Sequence, residues 1–293
     1  MANNINLAKA YTAVVDEAYR DASKSSVLDS NEGLIRQGAN AKEVIYAQVN
    51  VGGLGDYSRN DGYTNNAVDV EWKTATFNYD RGTKIVIDSM DDQETYNIAF
   101  GGAMNSLIRD KVAPEGDAFT FATLAGTEGI SIANEAGEEY ADATEFLAAL
   151  IVAKNKMDED EVPEENRILF ATPTLLNGVM ALDTTKSREV LATFAQTVKV
   201  PQSRFYTAID LKDGKTSGEE AGHYAKAAGG KDINFLIVHK PAVIKGDKHV
   251  ISNVIAPANN PDSDAYINKY RKYAIVDVLK NKVAGIYLSH KSN

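Results

Sequence analysis

Between Val44 and Ile87 the chain alternates apolar and polar residues in strand-like runs, split by a stretch that has almost nothing to bury. Val44, Tyr46, Gln48 and Asn50 interleave with Ile45, Ala47, Val49 and Val51, the two-residue period of an extended strand. Strand signals resume at Val68-Asp69-Val70-Glu71-Trp72 and again at Thr83-Lys84-Ile85-Val86-Ile87. The tip between them carries Gly52, Gly53, Gly55 and Gly62, and its apolar residues are Leu54, Tyr57 and Tyr63. Ordering residues 52–66 on an isolated chain would cost about 1–2 kcal/mol of backbone entropy per residue, with little burial in return. The pattern therefore predicts a two-armed β excursion over 44–88 whose tip is mobile until another molecule covers it.

The rest of the chain alternates helix and strand. Residues 3–21 read as an amphipathic helix, with Leu7, Tyr11, Val14, Val15 and Ala18 at helical spacing. Residues 22–42 are small and polar, so the first 43 residues look like an arm rather than a core element. Ser89, with Asp92 three residues on, predicts a capped helix start. Phe100, Met104, Leu107, Ile108 and Val112 then make one apolar stripe. Pro114 is expected to interrupt this helix, which resumes with a kink through Phe119, Phe121 and Leu124.

A second helix is predicted over 143–157, followed by an acidic run from Asp158 to Glu165 that reads as a solvated helix end. Two similar units follow: Arg167–Ala171 into Thr172-Pro173, and Ile233–Val238 into His239-Lys240-Pro241. Each reads as a strand running into a turn, and threonine before proline is an ordinary helix start. Residues 211–231, polar and glycine-rich, suggest an exposed excursion. At the end, Ala274–Leu279, a Lys280-Asn281-Lys282 turn and Val283–Leu288 predict a closing hairpin. The fold class is α+β.

Composition narrows function by exclusion. With 293 residues, 44% of them hydrophobic, the chain can bury one large core or two modest ones. It has no cysteine, which rules out disulfides, thiolate metal sites and cysteine nucleophiles. The net charge of −10, from 41 acidic and 31 basic residues, argues against tight nucleic-acid binding. It remains compatible with enclosing nucleic acid without gripping it. Met1 to Arg20 lack a signal peptide's apolar run, and no stretch approaches the roughly 20 apolar residues of a membrane helix, which predicts a protein made and kept in a cytoplasm.

No catalytic constellation is visible. His223, His239, His249 and His290 stand outside any zinc-binding spacing. Gly214-Lys215-Thr216 ends like a phosphate loop, but Ile209 occupies the position that the first glycine would need. No cofactor, metal or catalytic residue is predicted.

Several stretches nevertheless resemble one family. Leu54-Gly55-Asp56-Tyr57-Ser58-Arg59 through Gly62-Tyr63, then Val70-Glu71-Trp72, resemble the extended loop of tailed-bacteriophage major capsid (coat) proteins. Tyr79–Asp91, Ile108–Ala118, Tyr270-Arg271-Lys272-Tyr273 and Asn281–Tyr287 resemble its spine and closing strands, in the family's order. The resemblance implies a non-enzymatic shell subunit with an N-terminal arm (1–43), an extended β-loop (44–88), a peripheral domain with a long spine helix (89–139 and 249–293) and an axial domain (140–248). It implies self-assembly into hexamers and pentamers of an icosahedral shell around double-stranded phage DNA, with a virion destination and assembly in the host cytoplasm. Because the chain begins at the arm, it implies a separate scaffolding protein, besides a portal; no cross-link chemistry carries over to Lys73.

On this reading the assembly interface includes Leu54, Tyr57, Arg59 and Tyr63 of the tip, with Trp72 beside it; tyrosine and arginine are residue types that anchor interfaces. Arg81, ahead of Asp88 and Asp91, reads as an interface cation at the junction of loop and domain. Competing readings are a bacterial nanocompartment shell, a soluble α+β hydrolase with an unremarkable site, and an adhesive β-protein. The single tryptophan and the spine helix weaken the last.

Overall fold

The computed structural model describes residues 22–30, 36–37, 43–57, 59–60, 68–94 and 106–292. The expected helix over 3–21, the Phe100 and Met104 part of the spine stripe, and Tyr63 lie outside the described residues.

The excursion is an antiparallel hairpin. Strand β1 (Arg36–Gln37) pairs with β2 (Glu43–Val51), and β2 pairs with β3 (Val68–Thr76) in a register running from Glu43 opposite Thr76 to Val51 opposite Val68. Its base is packed: Val44 and Ala75 are buried with Ile244 and Ile275. Further out, Val51 and Val68–Trp72 are exposed.

Strand β4 (Tyr79–Asp88) corrects the expected excursion of 44–88. It leaves the hairpin and pairs antiparallel with β12 (Ala265–Val278), from Tyr79 opposite Ala274 to Asp88 opposite Ala265. Strand β11 (Val243–Ile255) completes that sheet in the order β11-β12-β4. Alternation identifies a strand but not its neighbour, which here lies almost two hundred residues away. Two local features hold the pairing. Asn78 bridges the backbone of Val276, donating to its carbonyl at 2.8 Å and accepting from its N–H at 3.1 Å. At Gly82 a Cβ would stand 2.8 Å from the Tyr270 carbonyl oxygen, so only glycine admits this approach.

Helix α1 (Ser89–Glu94) continues from β4. Its cap is Asp88, whose Oδ1 accepts the Met90 N–H at 2.9 Å, rather than the expected Ser89. Beyond 105 the chain is again helical: a π-helical turn over Ile108–Val112 leads directly into α2 (Ala113–Ala125). Pro114 therefore does not interrupt the helix as expected. It sits in the first turn of α2, where its missing N–H removes little, and the wider turn before it absorbs the change of register.

The central sheet has the order β5-β13-β10-β6-β7, comprising β5 (Ser131–Ile132), β6 (Arg167–Ala171), β7 (Gln196–Lys199), β10 (Ile233–His239) and β13 (Ile286–His290). Both faces are covered. Ile168, Phe170, Leu236 and Val238 pack with Phe121 and Leu124 of α2, and Phe121 meets Phe170 and Phe205 edge-on. Leu169, Ala171, Phe235 and Ile237 pack on the other side with α3 (Ala143–Glu159) and α4 (Pro173–Leu182), beside α5 (Thr185–Ala192). Burial on both faces explains why β6 and β10 read as unbroken apolar runs.

The closing hairpin is not formed. β12 belongs to the sheet of β4, whereas β13 crosses into the central sheet beside β10. A 3-10 turn over Lys280–Gly285 makes the transfer. The 211–231 excursion is a small hairpin of β8 (Ile209–Leu211) and β9 (Tyr224–Lys226) with its loop between them. The acidic run is tied more closely than a free helix end, since Asp158 pairs with the buried Arg167 at 2.7 Å and Glu164 with Lys154 at 2.8 Å.

Candidate assembly surfaces

The pleat of the hairpin sorts its residues onto two faces. Val44 and Ala75, directly opposed, point to the core at the base. The other face carries Val51, Val68, Val70 and Trp72, with Val51 opposite Val68, and all four are exposed. Trp72 is 56% accessible and Leu54, at the tip, is 105% accessible, so neither has a packing site. Tyr57 and Arg59 are exposed on the same tip. An apolar strand face left in water is an aggregation hazard unless it has a partner.

At the junction the expected residues separate. Asp88 and Asp91 are exposed at the start of α1. Arg81 is not directed to them. Its Nε–H donates to Glu115 Oε1 of α2 at 2.7 Å, and Tyr79 donates its hydroxyl to the same oxygen at 3.1 Å. Arg81 is thus an internal tie between β4 and α2, directed to Glu115 and not to Asp88 or Asp91. The Glu115 hydrogen bond raises the guanidinium pKa above its ordinary value. His223 completes the cluster, its Nδ1 buried and 3.7 Å from Glu115 Oε2, too far for a hydrogen bond. Burial holds this imidazole below its ordinary pKa, with Glu115 opposing the shift.

A second tie fastens the Ser23–Asp29 segment to the body. Asp117 is fully buried on α2 and accepts from Ser23 Oγ (2.7 Å), the Lys24 and Ser25 N–H groups (2.9 and 3.0 Å), Ser25 Oγ (2.8 Å) and Arg204 Nη1 (3.1 Å). On the other side, Lys245 of β11 reaches Asp29 at 2.5 Å and the Ser25 carbonyl at 3.0 Å. Sequence reasoning passed over Glu115 and Asp117. The available signal was a pair of acids inside Ala113-Pro114-Glu115-Gly116-Asp117-Ala118, a segment otherwise fit only for burial, where a carboxylate needs partners.

No family model matches the sequence, and no curated protein matches it. Solved structures do. A chain of Mycobacterium phage Che8 is 12% identical, covering 89% of this chain and 88% of its own, with a TM-score of 0.57. The mature capsid of bacteriophage PhiM1 gives 12% identity, coverage of 86% and 83%, and a TM-score of 0.58. The virus-like particle from Pyrococcus furiosus gives 9% identity, coverage of 94% and 96%, and a TM-score of 0.54. At such identities the likeness is one of fold. The chain has the α+β fold of tailed-phage coat proteins.

Proposed function

We propose that this chain is the major capsid protein of a tailed bacteriophage, a non-enzymatic subunit that assembles into hexamers and pentamers of an icosahedral shell around double-stranded DNA. The observation that carries this reading is the hairpin: Leu54, Val51, Val68, Val70 and Trp72 are exposed together on a fold shared with phage shells. Such a face is expected on a subunit whose neighbours bury it. The arm (1–43), β-loop, spine-bearing domain and axial domain serve as the parts of that subunit, with β13 counted in the axial sheet that it joins. The net charge of −10 suits a wall that encloses DNA without binding it in a sequence-specific way. A separate scaffolding protein and a portal complete the assembly, and the product resides in the virion.

Negative-stain electron microscopy of the purified protein, alone and with a scaffolding partner, tests the proposal. Closed shells or rings of subunits are expected; monomers at every concentration in both conditions contradict it. The likeness to the Pyrococcus furiosus particle favours a second reading, a nanocompartment shell around enzymes. Nuclease-protected DNA inside the particles supports the first reading, and protein docked on the inner wall the second.

A further inference from the structure

A cleft of about 390 Å³ opens between the helix-facing side of β4 and β12, the π-helical turn before α2, and the 212–223 loop. Its charge is opposite to that of the chain. Lys111, Lys212 and Lys215 converge on it from two elements, and none forms an ion pair with a described residue. The cleft's acids are already engaged. Glu115 is held by Arg81, Asp213 accepts the Lys215 and Thr216 N–H groups at 2.8 Å, and Glu220 accepts that of Gly218 at 2.9 Å. Arg81, Lys111, Lys212, Lys215 and Lys272 outnumber Glu115, Asp213 and Glu220 in the lining, so the opening is net positive, with Leu107 and Val112 among its apolar residues.

The opposite imbalance occurs at the end of the same pair of strands. Asp88 closes β4, and Asp262 and Asp264 lie in the loop that enters β12, joined to it by the Ser89 N–H to Asp264 carbonyl bond of 3.0 Å. All three are exposed, and none forms an ion pair with a described residue. Within one subunit the corner cannot serve the cleft. From Arg81 and Lys84 to Asp88 the strand spans roughly 13–23 Å at about 3.3 Å per residue, beyond contact range.

From this complementarity we infer that the lysine cleft of one subunit receives the Asp88–Asp262–Asp264 corner of a second copy. The inference rests on the shell reading and supplies one of its contacts. The two surfaces differ, so the contact is head-to-tail, the kind that closes into rings when the rotation between copies allows it. Being exposed and ionic, it strengthens at low salt.

Charge exchange tests it. The cleft variant carries Lys111→Glu with Lys215→Glu, the corner variant Asp262→Lys with Asp264→Lys. All four positions are exposed, so the melting temperature of the subunit should hold and serves as the folding control. Each variant alone should lose closed particles by about tenfold or more, since like charges then face each other. The chain carrying both exchanges should regain them. Mixed together, the two variants match at both contacts, acidic cleft to basic corner and acidic corner to basic cleft, so they should associate in alternation and sediment as mixed oligomers, while neither variant associates alone. That last arm reads the contact even if wild-type shells never close, so failure of the shell reading is seen separately. Wild-type particle yield from the cleft variant, or losses that neither mixing nor the double exchange restores, overturns the inference.

Discussion

Arg81 and Glu115 join β4 to the spine helix through a 2.7 Å hydrogen bond between Nε and Oε1, 34 residues apart in the chain. Glu115 is buried, with Tyr79 as its other close donor among the described residues and His223 just beyond reach. Removing Arg81 leaves a largely buried carboxylate without its charged partner. Arg81→Ala should destabilise the free subunit by about 2–4 kcal/mol, read as a lower urea midpoint at an unchanged slope. An unchanged midpoint with reduced particle yield would return Arg81 to the interface.

Asp117 should matter as much, and more locally. It gathers the Ser23–Ser25 segment and Arg204 around one fully buried carboxylate. Asp117→Ala should cost about 3–5 kcal/mol. If the network fastens the arm, amide exchange at Lys24 and Ser25 should quicken more than exchange in β10. Equal acceleration in both would show a general loss of stability without a local tether.

Stability should also fall in mild acid. Burial lowers the pKa of both His223 and His239 in the folded protein. The unfolded chain then binds protons first, so the contribution of each is complete above the unfolded value of about 6.5 and is lost as the pH drops below it. His223 also sits at a φ of 71°, a conformation that asparagine tolerates. His223→Asn should therefore flatten the decline in melting temperature between roughly pH 7 and 5.5. The same slope in the variant would remove His223 from the account.

What the residues disclosed before the fold was known was mainly local. Ile233–Val238 and Arg167–Ala171 announced strands, and Thr172-Pro173 announced the helix after β6. The hairpin was legible because its polar tip separates two alternating runs. Partnership was not legible. Nothing in the alternation of 79–88 says that it lies against 265–274, and Lys280–Gly285 looks like a hairpin turn although it carries the chain between sheets. The partner of Arg81 was hidden for the same reason: its nearest acids in sequence are Asp80 and Asp88, while folding brings Glu115 to it. Asp80 instead pairs with Arg271 across the strands at 2.7 Å. The exposure of Leu54, Tyr57 and Trp72 could be anticipated because apolar residues in a polar, glycine-rich stretch have no buried run beside them in sequence.

The most direct measurement concerns the hairpin, which the proposed shell needs and the isolated fold does not. Val51 and Val68 are already paired, so a two-residue Asn-Gly turn can replace residues 52–67 without touching the packed base at Val44 and Ala75. Sedimentation velocity should find closed particles for the full chain, with scaffold where it is required. The shortened chain should show the same melting temperature as a free subunit and no stable particles. Heat-stable particles of normal size from the shortened chain would contradict the account.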